Sequence, residues 1–171
     1  MDAKYLLGGS VAAGLTIFVW GATSHMALPL PEPVEKFKND QLVLDAVRAQ
    51  TNGNGVYIDP RGVFLALSLR PDLADKSQNM GRYLAVEGVT NLAQGFLLAL
   101  VLLQVKPKTV LGYAVFGLLV GLVAWVGIDV SLWNWYGFSG TLTLFDLLDM
   151  PVGCGLAGLV LGWMIRKWKL A

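Results

Sequence analysis

The chain has one histidine, His25, and four carboxylates, Glu87, Asp129, Asp146 and Asp149, that stand at or just inside the ends of long apolar stretches. Ionisable groups at such positions are costly to keep, and where they are kept together they often mark proton, cation or ligand sites. Two carboxyl groups brought close in a low-dielectric setting repel unless a proton or a cation lies between them. Asn91 and Gln94 extend Glu87 into an i, i+4, i+7 line, a polar stripe along one face of a helix. Such a stripe suits hydrogen bonds between helices, or the wall of a path for a proton, ion or small solute. A lone imidazole has the chemistry of an axial ligand to a haem or chlorophyll metal. The candidate polar site is therefore His25, Glu87, Asn91, Asp129, Asp146 and Asp149.

A plainer account needs no ligand. Glu87, Asp146 and Asp149 fall near expected helix N-termini, where the helix dipole favours negative charge. Asp129 then only marks an interface, and Asn91 and Gln94 join neighbouring helices. Enzyme signatures are missing: there is no glycine-rich phosphate loop, no His-Glu-x-x-His and no nucleophile elbow. One histidine cannot build a multi-histidine metal site, and a hydrolytic triad would need His25 beside a placed serine and carboxylate. The single cysteine, Cys154, excludes an internal disulfide and a cysteine-based zinc cage. With 13 basic against 12 acidic residues there is no basic field for nucleic acid. The residues favour the plainer account and predict a protein that is not an enzyme.

What must position these groups is a set of helices. Of the 171 residues, 55% are hydrophobic and 15% charged, and mean hydropathy is +0.57. A soluble domain carries about 25% charged residues. Crossing about 30 Å of hydrocarbon takes about 20 apolar residues, and four segments qualify: 5–24, 88–105, 109–128 and 144–165. Backbone groups in lipid must satisfy one another, so these are helices. The first reads as an uncleaved anchor, because no clear Ala-x-Ala site follows it. Lys106 and Lys108 lie between the second and third segments, and Arg166, Lys167 and Lys169 follow the fourth, whereas 130–143 holds no positive charge. Short-loop cations stay in the cytoplasm, so both termini are expected there and 25–86 on the other side. The expected fold is an all-α integral membrane protein, a four-transmembrane-helix bundle with a small α+β extracytoplasmic insertion. Its parts are 1–24, the insertion 25–86, and 87–171. The candidate polar site then forms an outer rim.

Within the insertion, alternate prolines at 29, 31 and 33 favour an extended path. Asn39 or Asp40 can cap a helix over 41–50. Strands over 56–58 and 63–69 flank the Pro-Arg-Gly turn, and 72–82 reads as a helix leading into the second span. The second strand is apolar enough to need cover on both faces.

Small residues recur every four positions: Gly8 and Ala12, Gly9 and Ala13, Gly117 and Gly121, Gly158 and Gly162. This spacing lets helices approach closely, within one chain rather than across a dimer. Tryptophans near span ends suit an interface. Trp133, Trp135, Tyr136 and Phe138 are expected to fold over the rim as an aromatic lid, with Gly137 permitting the return to the fourth helix. Pro151 is expected to kink that helix.

Two stretches, Trp20-Gly-Ala-Thr-Ser-His-Met-Ala-Leu-Pro29 and Trp133-Asn-Trp-Tyr-Gly-Phe138, together with the small-residue helix that follows, resemble a group of small bacterial inner-membrane proteins with no assigned function. The resemblance implies a four-helix bundle with an external insertion and brings no catalytic residues with it. The expectation from residues and resemblance is a non-enzymatic accessory or scaffolding subunit. It would sit among membrane lipids and dock on a larger membrane-protein complex, photosynthetic or respiratory, or on its own copies. The alternative is a small oligomeric carrier of ions, protons or solutes that uses the Glu87–Asn91–Gln94 stripe.

Overall fold

A computed structural model of the chain describes residues 3–27, 36–70 and 76–170. Those up to 27 and from 82 onward form one compact unit, and those from 36 to 81 another. The larger unit is helical. Helix α1 spans Ala3–Ala27; α3 spans Lys76–Val105; α4 spans Val110–Trp125 and runs through a π-helical turn, Val126–Val130, into α5, Ser131–Tyr136; α6 spans Gly140–Leu170. Four apolar stretches, Ala3–Ala27, Gln78–Val105, Val110–Tyr136 and Gly140–Trp168, are long enough to cross a membrane. At 1.5 Å per residue each measures roughly 38–44 Å.

Local chemistry sets the helix ends. The Thr109 hydroxyl accepts from Gly112 N at 3.0 Å at the start of α4, and Ser139 Oγ accepts from Leu142 N at 3.1 Å at the start of α6. Gly137, with φ +69°, turns the chain out of α5, as the sequence required of it. Lys106 ends α3 at φ +51°, a left-handed conformation that costs any residue with a Cβ about 1 kcal/mol.

The small residues pack these helices against one another. A Cβ at Gly117 would lie 2.3 Å from Cys154 O, one at Gly121 would meet Pro151 Cα, and one at Gly158 would lie 2.3 Å from Tyr113 O. The α4 and α6 stripes thus face each other within one chain. Gly14 and Gly95 make a second close approach between α1 and α3, with Gly14 against the Asn91 and Leu92 backbones. Around these contacts lies a core of Ala13, Leu98, Ala99, Leu102, Tyr113, Ala157, Leu161 and Ile165.

The smaller unit holds α2, Asp40–Gln50, and an antiparallel hairpin of β1, Gly55–Asp59, and β2, Val63–Leu67. Asn39 Oδ1 accepts from Leu42 N at 3.0 Å and caps α2. Gly62, at φ +97°, closes the hairpin turn.

Several expectations change. The third span does not end at Asp129, because the π-turn carries the helix past it to Tyr136. Helix α3 begins at Lys76, so the expected helix of 72–82 and the second span are one element; 72–75 and the prolines at 29, 31 and 33 lie outside the described residues. Neither α3 nor α6 has an acidic residue in its first turn. Glu87, Asp146 and Asp149 therefore lie too far along their helices for the dipole account. Within the chain Val63 of the second strand is 61% exposed, which leaves that position open to a partner.

Candidate functional site: a polar cluster at the His25 end of the bundle

Helix α1 brings Trp20 and Ser24, one turn apart, onto the face that meets α6. Trp20 Nε1 donates to the Asp149 carbonyl at 3.0 Å. Ser24, only 1% exposed, donates its hydroxyl to Asp149 Oδ1. One turn of helix thus fixes both the backbone and the carboxyl group of a single aspartate. From α4, Trp125 Nε1 donates to Thr143 O at 2.8 Å and ties the same end of α6 to its other neighbour.

The π-turn then sets Asp129. A wider turn rotates the following residues relative to an α-helix, and here the Asp129 carboxyl comes near enough to Asp146 for the two to interact. Asp129 Oδ2 is fully buried and meets no hydrogen-bond donor among the described residues. Two carboxylates that near each other repel unless a proton or a cation lies between them. Asp149 and His25 are near enough to act electrostatically on Asp146 as well. His25 itself is exposed. Its Nδ1 lies 2.9 Å from Gly21 O and 3.2 Å from Ser24 Oγ. Because a carbonyl only accepts, Nδ1 carries the proton in the first contact. The ring meets Phe145 edge-on with centroids 4.8 Å apart.

The structure therefore brings together His25, Asp129, Asp146 and Asp149. It leaves out Glu87, whose Oε1 accepts from Asn91 Nδ2 at 3.0 Å within α3. The Gly14 contact with Asn91 explains why. Glu87 is about one turn from that crossing in α3, whereas His25 is about three turns from it in α1. Glu87 thus lies nearer the α1–α3 crossing than His25 does. The polar stripe also divides, with Asn91 buried and Gln94 exposed. Neither of the cavities of about 330 and 420 Å³ is lined by Glu87, Asn91 or Gln94.

Trp133, Trp135, Tyr136 and Phe138 were expected in a loop folded over the cluster. The first three belong to α5, and all four are exposed. The helix continues through the π-turn to Tyr136, so the connection to α6 shortens to 137–139.

Chemically, the contacts are not those of a nucleophilic triad. The serine donates to the carboxylate, and His25 makes no hydrogen bond to a carboxylate among the described residues. No group of three His, Cys, Asp or Glu side chains is arranged to hold a metal among those residues either. Trp20, Ser24, Trp125 and Thr143 complete the cluster and were absent from the candidate residues. The spacing of Trp20 and Ser24 at i, i+4 beside His25 was the available signal. Nothing local in the sequence announces the π-turn.

The chain matches no family model, no curated protein and no solved structure.

Proposed function

We propose that the chain is a non-enzymatic, multi-pass protein of the bacterial cytoplasmic (inner) membrane, an accessory or scaffolding subunit whose insertion docks on a larger membrane complex. Both termini lie in the cytoplasm and 25–86 outside it, by the distribution of short-loop cations. The exposed apolar side chains of the four long helices then face lipid. One observation carries the docking: no residue from 36 to 70 is buried. A helix and a two-stranded hairpin without a core are marginal alone in water. Leu42, Val56, Ile58 and Val63 nevertheless hold their apolar side chains open. A partner surface that covers them supplies the missing core. An energy-converting assembly is a fitting host, since such complexes recruit small helical chains.

The test is purification from the native membrane in mild detergent, with Val56→Lys and Ile58→Lys variants beside the natural chain. The expected result is co-purification of a membrane-protein partner that the variants lose. Recovery of the natural chain only as a free monomer overturns the proposal, and recovery only with itself makes the partner a second copy. Cysteines at Asn52 and Ser139 are expected to react with an impermeant reagent added to intact cells.

A second reading is favoured by the Asp129–Asp146 pair with its buried oxygen. It makes the chain a proton carrier working through the rim instead of the α3 stripe. Proton flux in proteoliposomes that disappears with Asp146→Asn supports it. Flux equal to that of empty vesicles removes it.

A further inference from the structure

We infer that the cavity of about 420 Å³ between the start of α4 and the C-terminal part of α6 binds a phosphate-bearing anion, the headgroup of an acidic phospholipid. The cavity is lined by Pro107, Lys108, Thr109, Val110, Tyr113, Gly162, Ile165 and Arg166. Its polar side chains all have a proton to give. Lys108 and Arg166 are cations without an ion-pair partner among the described residues. The Thr109 oxygen already accepts from Gly112 N, so its hydroxyl proton is directed elsewhere. The first amides of α4, at Val110 and Leu111, have no carbonyl within the helix to meet. Among these side chains and amides there is no carboxylate, so an anion with several acceptor oxygens matches the wall.

Tyr113 gives a separate indication. It is only 6% exposed, yet its hydroxyl has no hydrogen-bond partner among the described residues and is not sealed off as Asp129 Oδ2 is. Tyr113 is one of the residues that line this cavity. Gly162 makes room for the ring, since a Cβ there would lie 2.8 Å from Tyr113 Cβ. A phenol hydroxyl with no partner in the protein is free to donate to a ligand oxygen.

Size and setting choose the form of the anion. Ligand sites commonly enclose about 300–1,000 Å³, which exceeds what a bare phosphate fills. Pro107, Val110 and Ile165 add an apolar wall suited to the glycerol and first acyl carbons. Basic pockets between membrane helices on the cytoplasmic side recognise acidic headgroups in this way. The site does not depend on whether the insertion has a partner.

The full chain in detergent, titrated with phosphatidylglycerol, phosphatidylcholine or inorganic phosphate and followed by native mass spectrometry, tests the inference. Phosphatidylglycerol is expected to bind roughly ten- to thirty-fold tighter than phosphatidylcholine. The double variant Lys108→Gln, Arg166→Gln is expected to lose that preference. Lys4→Gln, Lys167→Gln, which removes the same charge outside the cavity, is expected to keep it. Tyr113→Phe is expected to weaken binding a few-fold with unchanged melting. Inorganic phosphate binding that is lost in the first double variant, without a lipid preference, keeps the anion site and makes its source the free ion. Equal losses in the two double variants, or a loss in neither, overturn the site.

Discussion

The two units of the chain are held together by different means. In the helical unit, backbones touch: Gly117, Gly121 and Gly158 have backbone atoms of the facing helix where a Cβ would be, and a continuous core surrounds these contacts. In the smaller unit nothing from 36 to 70 is buried, and polar contacts take over. Asn39 caps α2, Tyr57 Oη donates to Gly53 O at 2.6 Å, and Leu69 N donates to Asn54 Oδ1 at 2.5 Å. Most of these link residues a few positions apart. Close packing spreads a disturbance through every neighbour, whereas a local hydrogen bond fails alone. A change of the same size should therefore act globally in one unit and locally in the other.

The sharpest way to break that contrast is Gly158→Leu. The new side chain meets Tyr113 O with no route of retreat, so it must force α4 and α6 apart. The expected loss is about 3 kcal/mol or more, seen as a collapse of thermal melting in detergent. Gly88 has nothing within 4 Å of its added Cβ, and Gly88→Leu is expected to melt like the natural chain or slightly above it. Equal melting of both variants would mean that the glycine contacts do not hold the bundle.

Much of this was readable from residue types. Hydropathy located the four long helices, because an apolar run of sufficient length has few other outcomes. Four-residue spacing marked faces of α4 and α6 for packing within one chain, since it puts small residues on one face, but did not say that the two faces meet each other. Asn39 and the Pro-Arg-Gly turn located the helix and hairpin of the smaller unit. The rim was legible only in part. His25, Asp129, Asp146 and Asp149 announced themselves by charge, but their grouping depends on the π-turn at Val126–Val130, which no run of residue types encodes. Glu87 falls outside that group because its place follows from where two helices cross, here Gly14 on Asn91. Apolar residues call for cover without saying which molecule provides it.

Smaller effects sharpen the contrast further. Ser24→Ala removes the hydroxyl that donates to Asp149 in a fully enclosed position. Leaving a part-buried acceptor without its donor costs about 1 kcal/mol or more, and the whole helical unit is expected to melt at a lower temperature. Asn39→Ala removes the cap of α2 at a cost of about 1 kcal/mol. Amide exchange over 42–50 is expected to accelerate while the melting of the bundle does not move. If the bundle melts earlier with Asn39→Ala, the two units are coupled and the contrast fails.

The smallest effect concerns the hairpin turn. Arg61 Nε and Nη2 donate to the two carboxyl oxygens of Asp59 at 2.7 and 2.8 Å, and Arg61 N donates to Oδ1 at 2.8 Å. The Arg61 side chain first, and its backbone N–H second, hold the Asp59 carboxyl below its ordinary range. A carboxylate whose pKa is lower in the folded state than in the unfolded chain adds stability above the unfolded pKa. That contribution is lost as pH falls through the folded pKa, so the window lies below about pH 4. The pair is open to water, and solvent and salt screen it. What is expected is a change in titration more than in stability. In carboxyl-carbon NMR, Arg61→Gln is expected to move the Asp59 titration upward without reaching the ordinary value, because the backbone N–H still donates. Exchange in β1 and β2 is expected to rise at acid pH, while the amides of α4 and α6 keep their protection. An unmoved Asp59 titration would assign the shift to the backbone turn alone. Acid-induced loss of protection spreading into α4 would show that the hairpin is not the local structure its contacts describe.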